Sequence, residues 1–260
     1  MRLLAIETTG PFASVALAEG EDRVFERESD QRMNHLKGLS AMIAELLAGR
    51  GLSLADIDCV AASAGPGSFT GIRIGVSTAR ALAQALGIAA MGVPTLASFV
   101  YHLPAYGGAV CPVFDARRGQ VYSGVFRLGE DGGAHALLDG AARTPEELCR
   151  AVEGIDWDAH GGCARGIRFF GDGIEVCGGM FSELRAAAGL RADGTSAPEI
   201  DFAPPESRFQ RASSVARLAL CMLRRAPAGA AASHDALLPV YMRKAEAERK
   251  REEALARLAE

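Results

Sequence analysis

The sequence predicts an α/β protein of two lobes, each a mixed sheet that starts in an antiparallel meander and is flanked by helices. Three observations predict it. From Leu3 to Arg27 the chain reads as three short strands joined by tight turns. From Asn34 to His102 it alternates helix and strand, and from Val110 the strand-rich theme returns more weakly. With 260 residues, 49% of them hydrophobic, there is enough chain for one large or two small domains with a proper core. We divide it into a first lobe over residues 1–104, a second over 105–243 and a charged helical tail over 244–260.

Leu3-Leu4-Ala5-Ile6 is a buried-strand run closed by Glu7-Thr8-Thr9-Gly10-Pro11. Ala13 to Ala18 alternates with period two, Glu19-Gly20-Glu21-Asp22 is a hairpin turn, and Arg23 to Arg27 is the third strand. Asn34 is placed to cap a helix from His35 to Ala48, whose Leu36, Leu39, Ile43, Leu46 and Leu47 keep the 3.6 period until Gly49-Arg50-Gly51 stops it. Ile57 to Ser63 is the next strand. Met91 to Pro94 is another, and Thr95 opens a helix to about His102. A meander followed by crossover units is the layout of half an actin-like ATPase (ASKHA) fold.

The chain is organised around Ala64-Gly65-Pro66-Gly67-Ser68-Phe69-Thr70-Gly71-Ile72-Arg73-Ile74-Gly75, a tight strand-to-helix turn. Gly65 and Gly67 suit positive φ and close backbone approach. Ser68 or Thr70 can cap the helix that follows, which runs to about Gly87. Gly71, Gly75, Ala79 and Ala83 recur every four residues and leave one helix face almost bare, beside a core stripe of Ile72, Val76, Ala79, Ala83 and Leu86. Two glycines cost roughly 1 kcal/mol each relative to alanine, so the bare face implies a close neighbour. That neighbour is either the same domain or a helix of another chain.

In the second half, Val110 to Phe114 is a strand ending at Asp115, and Gln120 to Arg127 is its partner across Ala116-Arg117-Arg118-Gly119. Gly129 to Gly133 is a turn, and Thr144-Pro145-Glu146-Glu147 opens a helix with a cap, a first-turn proline and early acids. Asp156 to Arg165 is irregular, Ile167 to Phe170 is a strand closing on Gly171-Asp172-Gly173, and Ala192 to Ser207 is read as a loop. Ser213 caps a helix through Val215, Leu218, Ala219 and Met222. Ala226 to Ser233 is a linker, and Leu237 to Arg243 is a final extended segment.

The formal charge of −4 gives no general attraction to nucleic acid or anionic membrane. Cysteines 59, 111, 149, 163, 177 and 221 include no CxxC and read as reduced, core-filling residues of a cytoplasmic protein. Met1-Arg2-Leu3-Leu4 runs straight into a strand, so no signal peptide is expected, and no apolar run reaches the ~18 residues of a membrane span. Histidines 35, 102, 135, 160 and 234 make neither HExxH nor HxxxH. The central turn has no lysine after Gly71, fails GxGxxG by one place and lacks GxSxG. Glu7, Asp115 and Asp172 are strand-end acids of the kind that surround a nucleotide in actin-like kinases, or else they satisfy turn donors. Arg117-Arg118, Arg224-Arg225 and the basic residues from Lys244 to Arg251 read as solvated surface.

Leu4-Ala5-Ile6-Glu7-Thr8-Thr9, Gly65 to Gly75, Asp115-Ala116-Arg117-Arg118-Gly119-Gln120-Val121-Tyr122 and Pro239-Val240-Tyr241-Met242-Arg243, in that order, resemble the TsaB (YeaZ) family over nearly the whole chain. Ala134 to Ser207 and the tail match poorly. The resemblance implies an actin-like fold and a non-catalytic role in making threonylcarbamoyladenosine in tRNA. It implies pairing with TsaD, the catalytic paralogue that carries a metal-binding HxxxH, together with the ATPase TsaE. Alone, the chain is expected to form a homodimer. It implies contact with tRNA only through the complex, and no cofactor, metal or catalytic residue of its own. Carried onto this chain, the family's pairing surface falls on His35, Leu36, Leu39 and Ile43 of the first helix and on Ser68, Phe69, Gly71, Ile72, Gly75, Val76 and Ala79 of the second. An active actin-fold phosphotransferase using Glu7 and Asp115 is the competing expectation.

Overall fold

A computed structural model describes residues 1–30, 35–157, 166–179, 189–190, 196–226 and 233–243, with the side chains of 35–37, 105, 189–190 and 196–197 left aside. The predicted Asn34 cap, the loop at 158–165, Cys163 and the tail over 244–260 lie outside the described residues.

The first sheet contains β1 (Arg2–Glu7), β2 (Ser14–Glu19), β3 (Arg23–Glu28), β4 (Cys59–Gly65) and β5 (Ala89–Pro94), in the order β3-β2-β1-β4-β5. β1–β2 and β2–β3 are antiparallel, whereas β4 and β5 add in parallel through crossover helices. Side chains alternate across it as the pleat requires. Leu4, Ile6, Val15, Leu17, Val60 and Ala62 point to α1 (His35–Ala48) and α2 (Phe69–Leu86). Leu3, Ala5, Ala16, Ala18, Cys59 and Ala61 point to the opposite face.

The second sheet repeats that plan. Its strands are β6 (Ala109–Arg117), β7 (Gln120–Leu128), β8 (Ala134–Arg143), β9 (Ile167–Phe170) and β12 (Ile200–Phe202), in the order β12-β9-β6-β7-β8. Again the first three are antiparallel and the last two parallel. A separate short hairpin joins β10 (Gly189–Leu190) to β11 (Ser196–Ala197). The remaining helices are α3 (Thr95–Ser98), α4 (Pro145–Glu153), α5 (Gly173–Cys177) and α6 (Ala212–Arg225). Cys111, Val113, Val121 and Phe169 pack under α4 and Trp157. Val110, Phe114, Phe126 and Phe170 face the first lobe and meet Leu96, Phe99 and Val100.

That seam also holds His102, stacked on Phe99 with ring centres 4.0 Å apart. Its two ring nitrogens lie 2.6 Å from the Phe209 carbonyl and 2.9 Å from Ser214 Oγ. Burial pushes its pKa down to about 4, so the ring is neutral.

The structure corrects the sequence reading in four places. β8 was not expected: Ala134 to Arg143 has neither β-branched residues nor clean alternation, and it forms the edge of its sheet. β11 and β12 interrupt the loop expected from Ala192 to Ser207. The side chain of Ser213 does not cap α6. Its amide and hydroxyl bond to Glu26 of β3, while Ala212 N–H donates to Ser14 Oγ of β2, so first-lobe strands satisfy the helix's free donors. Finally, α6 covers the outer face of the first sheet, and Leu237 sits in the core of that lobe. The first lobe is therefore not confined to residues 1–104 but recruits Ala212–Arg225 and Leu237 from the far end of the chain.

Candidate functional site

The stretch that follows β1 and the turn between β4 and α2 are interlocked. Ser68 N–H donates to the Thr9 carbonyl at 2.8 Å, and Ser68 Oγ accepts from Gly71 N–H at 3.2 Å as the N-cap of α2. Thr8 Oγ1 donates to the Gly71 carbonyl at 2.7 Å. Gly65 and Gly67 take φ of 123° and 157°, as the sequence reading expected of this turn. A methyl added at Gly67 would lie 2.7 Å from Thr9 Cβ.

Glu7 ends β1 fully buried inside this knot. Its carboxyl group accepts from Thr9 N–H at 2.5 Å and Thr9 Oγ1 at 2.6 Å, and also from Ser63 Oγ and Gly10 N–H. Burial pushes the carboxyl pKa up, and these four donors oppose the shift. The carboxylate oxygens are thus engaged by the chain's own groups. The other strand-end acids behave likewise. Asp115 accepts from Arg117 N–H at 2.6 Å, and Asp172 accepts from Asp115 N–H at 3.1 Å. The chain's own groups thus contact each of these strand-end acids, Glu7 from four donors and Asp115 and Asp172 from one backbone amide each.

The faces of α2 have clear occupants. A methyl on Gly75 would lie 2.5 Å from Thr8 Oγ1, and one on Gly71 would overlap the Thr8 carbonyl. Ala79 and Ala83 are fully buried beside them. The bare face is filled within the same lobe by Thr8, just past β1, and by Ile6 of that strand. This corrects the predicted pairing surface. Leu39, Ile43, Ile72, Val76 and Ala79 are core residues, and Gly71 and Gly75 are sealed against Thr8. Of the described side chains in that set, only Phe69 is exposed and Ser68 half-buried, while those of His35 and Leu36 lie outside the described residues. Helical spacing could not separate the two readings, because a close neighbour leaves the same pattern whichever chain supplies it.

The opposite faces of the two helices are the free ones. α1 exposes Ser40, Ala41, Ala44, Glu45 and Ala48, and α2 exposes Phe69, Thr70, Arg73, Ser77, Ala81, Gln84 and Ala85. Alanines and hydroxyl residues at the helix repeat dominate both faces, with Glu45, Arg73 and Gln84 among them. At the start of α2, Phe69 stacks on Tyr241 with ring centres 4.8 Å apart, and the Arg73 guanidinium lies 4.1 Å over the Phe69 ring. Among the described residues no group of three or more His, Cys, Asp or Glu side chains could hold a metal ion, and no helix is long and apolar enough to cross a membrane.

Two sheets of identical strand order, each a meander extended by parallel strands and facing the other across an aromatic seam, define a two-lobed protein of the actin-like ATPase (ASKHA) class. The family model described as "TsaD: tRNA N6-adenosine threonylcarbamoyltransferase" matches residues 29–251. The chain belongs to this family, and within it is of the TsaB (YeaZ) type. It is 33% identical over 127 residues to "tRNA threonylcarbamoyladenosine biosynthesis protein TsaB" of Bacillus subtilis, covering 49% of this chain and 56% of that protein. It is 35% identical over 153 residues to the TsaB of Escherichia coli, covering 56% and 64%. The chain therefore spans less than two thirds of the length of these curated relatives. The solved structure "YeaZ from Pseudomonas aeruginosa" superposes with a TM-score of 0.70 at 26% identity, covering 92% of this chain and 99% of that one.

Proposed function

We propose that the chain is a non-catalytic subunit in the formation of threonylcarbamoyladenosine in tRNA, pairing with the catalytic paralogue TsaD. The roles named for its relatives in threonylcarbamoyladenosine biosynthesis support this reading. The structural observation that carries the non-catalytic role is the enclosure of Glu7 by Thr9, Gly10 and Ser63. The pairing face we assign is the outer surface of α1 and α2, with Ala44 and Ala81 on its exposed stripes. Small exposed residues let a partner helix approach closely. The same face serves self-association when TsaD is absent, and TsaE joins the pair.

Size-exclusion chromatography of the chain with and without TsaD tests this reading. The wild-type chain co-elutes with TsaD, and the Ala44→Arg/Ala81→Arg double variant elutes separately while keeping its own unfolding midpoint. Wild-type co-elution by the double variant would remove the assigned face. Calorimetry of the isolated chain with ATP and magnesium tests the role: tight binding with turnover would restore the phosphotransferase reading.

A further inference from the structure

The segment from Leu237 to Arg243 touches both lobes within a few residues. Leu237 is buried in the first-lobe core, and a methyl on Gly92 of β5 would lie 3.1 Å from its Cδ1. Val240 N–H donates to the Ala64 carbonyl at 2.7 Å, and the Val240 carbonyl lies so close over Gly65 that no side chain fits there. Tyr241 then stacks on Phe69, with its hydroxyl accepting from Arg73 Nε at 3.0 Å.

The next two residues belong to the other lobe. A methyl on Gly140 of β8 would lie 3.0 Å from Met242 Cε. Arg243 Nη1 donates to the carbonyls of Ala116 and Arg117 at 2.5 and 3.3 Å. Those carbonyls end β6, as Ala64 and Gly65 end β4. Three residues of chain reach at most about 10 Å, so the strand ends are held within that distance plus one arginine side chain. Arg117 and Arg118 take φ of 65° and 60°, a left-handed turn that turns the Arg117 carbonyl to this guanidinium.

We propose that Leu237–Arg243 is a built-in strap that ties the end of β4 to the end of β6 and fixes the two lobes in one relative orientation. Two-lobed proteins commonly close around a bound ligand. Here the chain itself supplies the closing contacts, through backbone groups on one side and a guanidinium on the other. The strap also joins the second lobe to the start of α2 through Tyr241 and Phe69. The proposal does not depend on the identity of any partner.

Hydrogen exchange followed by mass spectrometry on the full-length chain tests it. Arg243→Ala cuts only the second-lobe anchor. It is expected to raise exchange about tenfold in the hairpin over 114–121 and also, across the lobes, over 62–69, the loss expected for hydrogen bonds to a charged donor. Arg243→Lys, which keeps the charge and can donate to one carbonyl, is expected to show a smaller rise in both. Exchange that changes in the hairpin alone, or in neither region, would overturn the proposal.

Discussion

Glu7 and His102 are ionisable groups whose pKa values burial shifts, and they respond to pH with opposite sign. His102 titrates near 6.5 when unfolded and at about 4 when folded. Between those values the unfolded chain takes up the extra proton. The contribution of His102 is therefore complete above pH 6.5 and falls as pH drops toward 4, by up to about 3 kcal/mol. The Glu7 pKa is raised by burial, so its contribution is complete below its unfolded value and falls as pH rises. Urea midpoints measured across pH separate the two. His102→Gln keeps a donor for Phe209 and an acceptor for Ser214, and should flatten the acid-side loss. Glu7→Ala strands the Thr9 and Ser63 donors in the interior and should cost roughly 3 kcal/mol at neutral pH. The sequence marked Glu7 as a strand-end acid without settling what it faces. The answer needed Ser63, fifty-six positions away on β4, which no local pattern reveals.

Secondary-structure elements were legible where a local signal carried them. Of the two caps the residues offered for α2, Ser68 serves, the helix ends at Gly87 as its pattern indicated, and Thr144 caps α4, there with Glu147 completing a capping box. β8 was invisible because its pairing with β7 is set by the partner strand and not by its own composition. The two faces of α2 make a contrast that denaturation can read. Gly71→Ala gains helix propensity yet drives a methyl into the Thr8 carbonyl, and should lose about 2 kcal/mol net. Gly75→Leu should lose more, since the side chain has nowhere to go beside Thr8 Oγ1. Ala81→Leu, on the exposed face, should stay within about 0.5 kcal/mol of wild type. A large loss at Ala81 with none at Gly71 would reverse the assignment of inner and outer faces.

At the scale of the molecule, the sequence showed two lobes but misplaced the line between them. Composition gave α6 no address: Val215, Leu218 and Ala219 form an apolar stripe that fits either sheet. Its place is set by Ser14 and Glu26, which supply the hydrogen-bond acceptors for its first turn. A fragment of residues 1–104 should consequently lack native packing, because Leu3, Ala5, Ala16 and Ala61 lose their cover. Poor dispersion in its amide NMR spectrum, against sharp dispersion for the full chain, would show this. A well-dispersed, cooperatively unfolding fragment would show that α6 is dispensable.

The return of α6 to the first sheet also has a consequence for biosynthesis. The second lobe is inserted into the first, and the first lacks one wall until Ala212–Arg225 has been made. At the ~5–20 residues per second of translation, β1 to β5 wait for seconds with an apolar face uncovered. The face of the second sheet beneath α4 is covered by residues made before Ala212. The core beneath α4 can thus close before the outer wall of the first lobe is made, and a chain arrested before residue 212 is expected to leave the apolar outer face of β1 to β5 open to solvent.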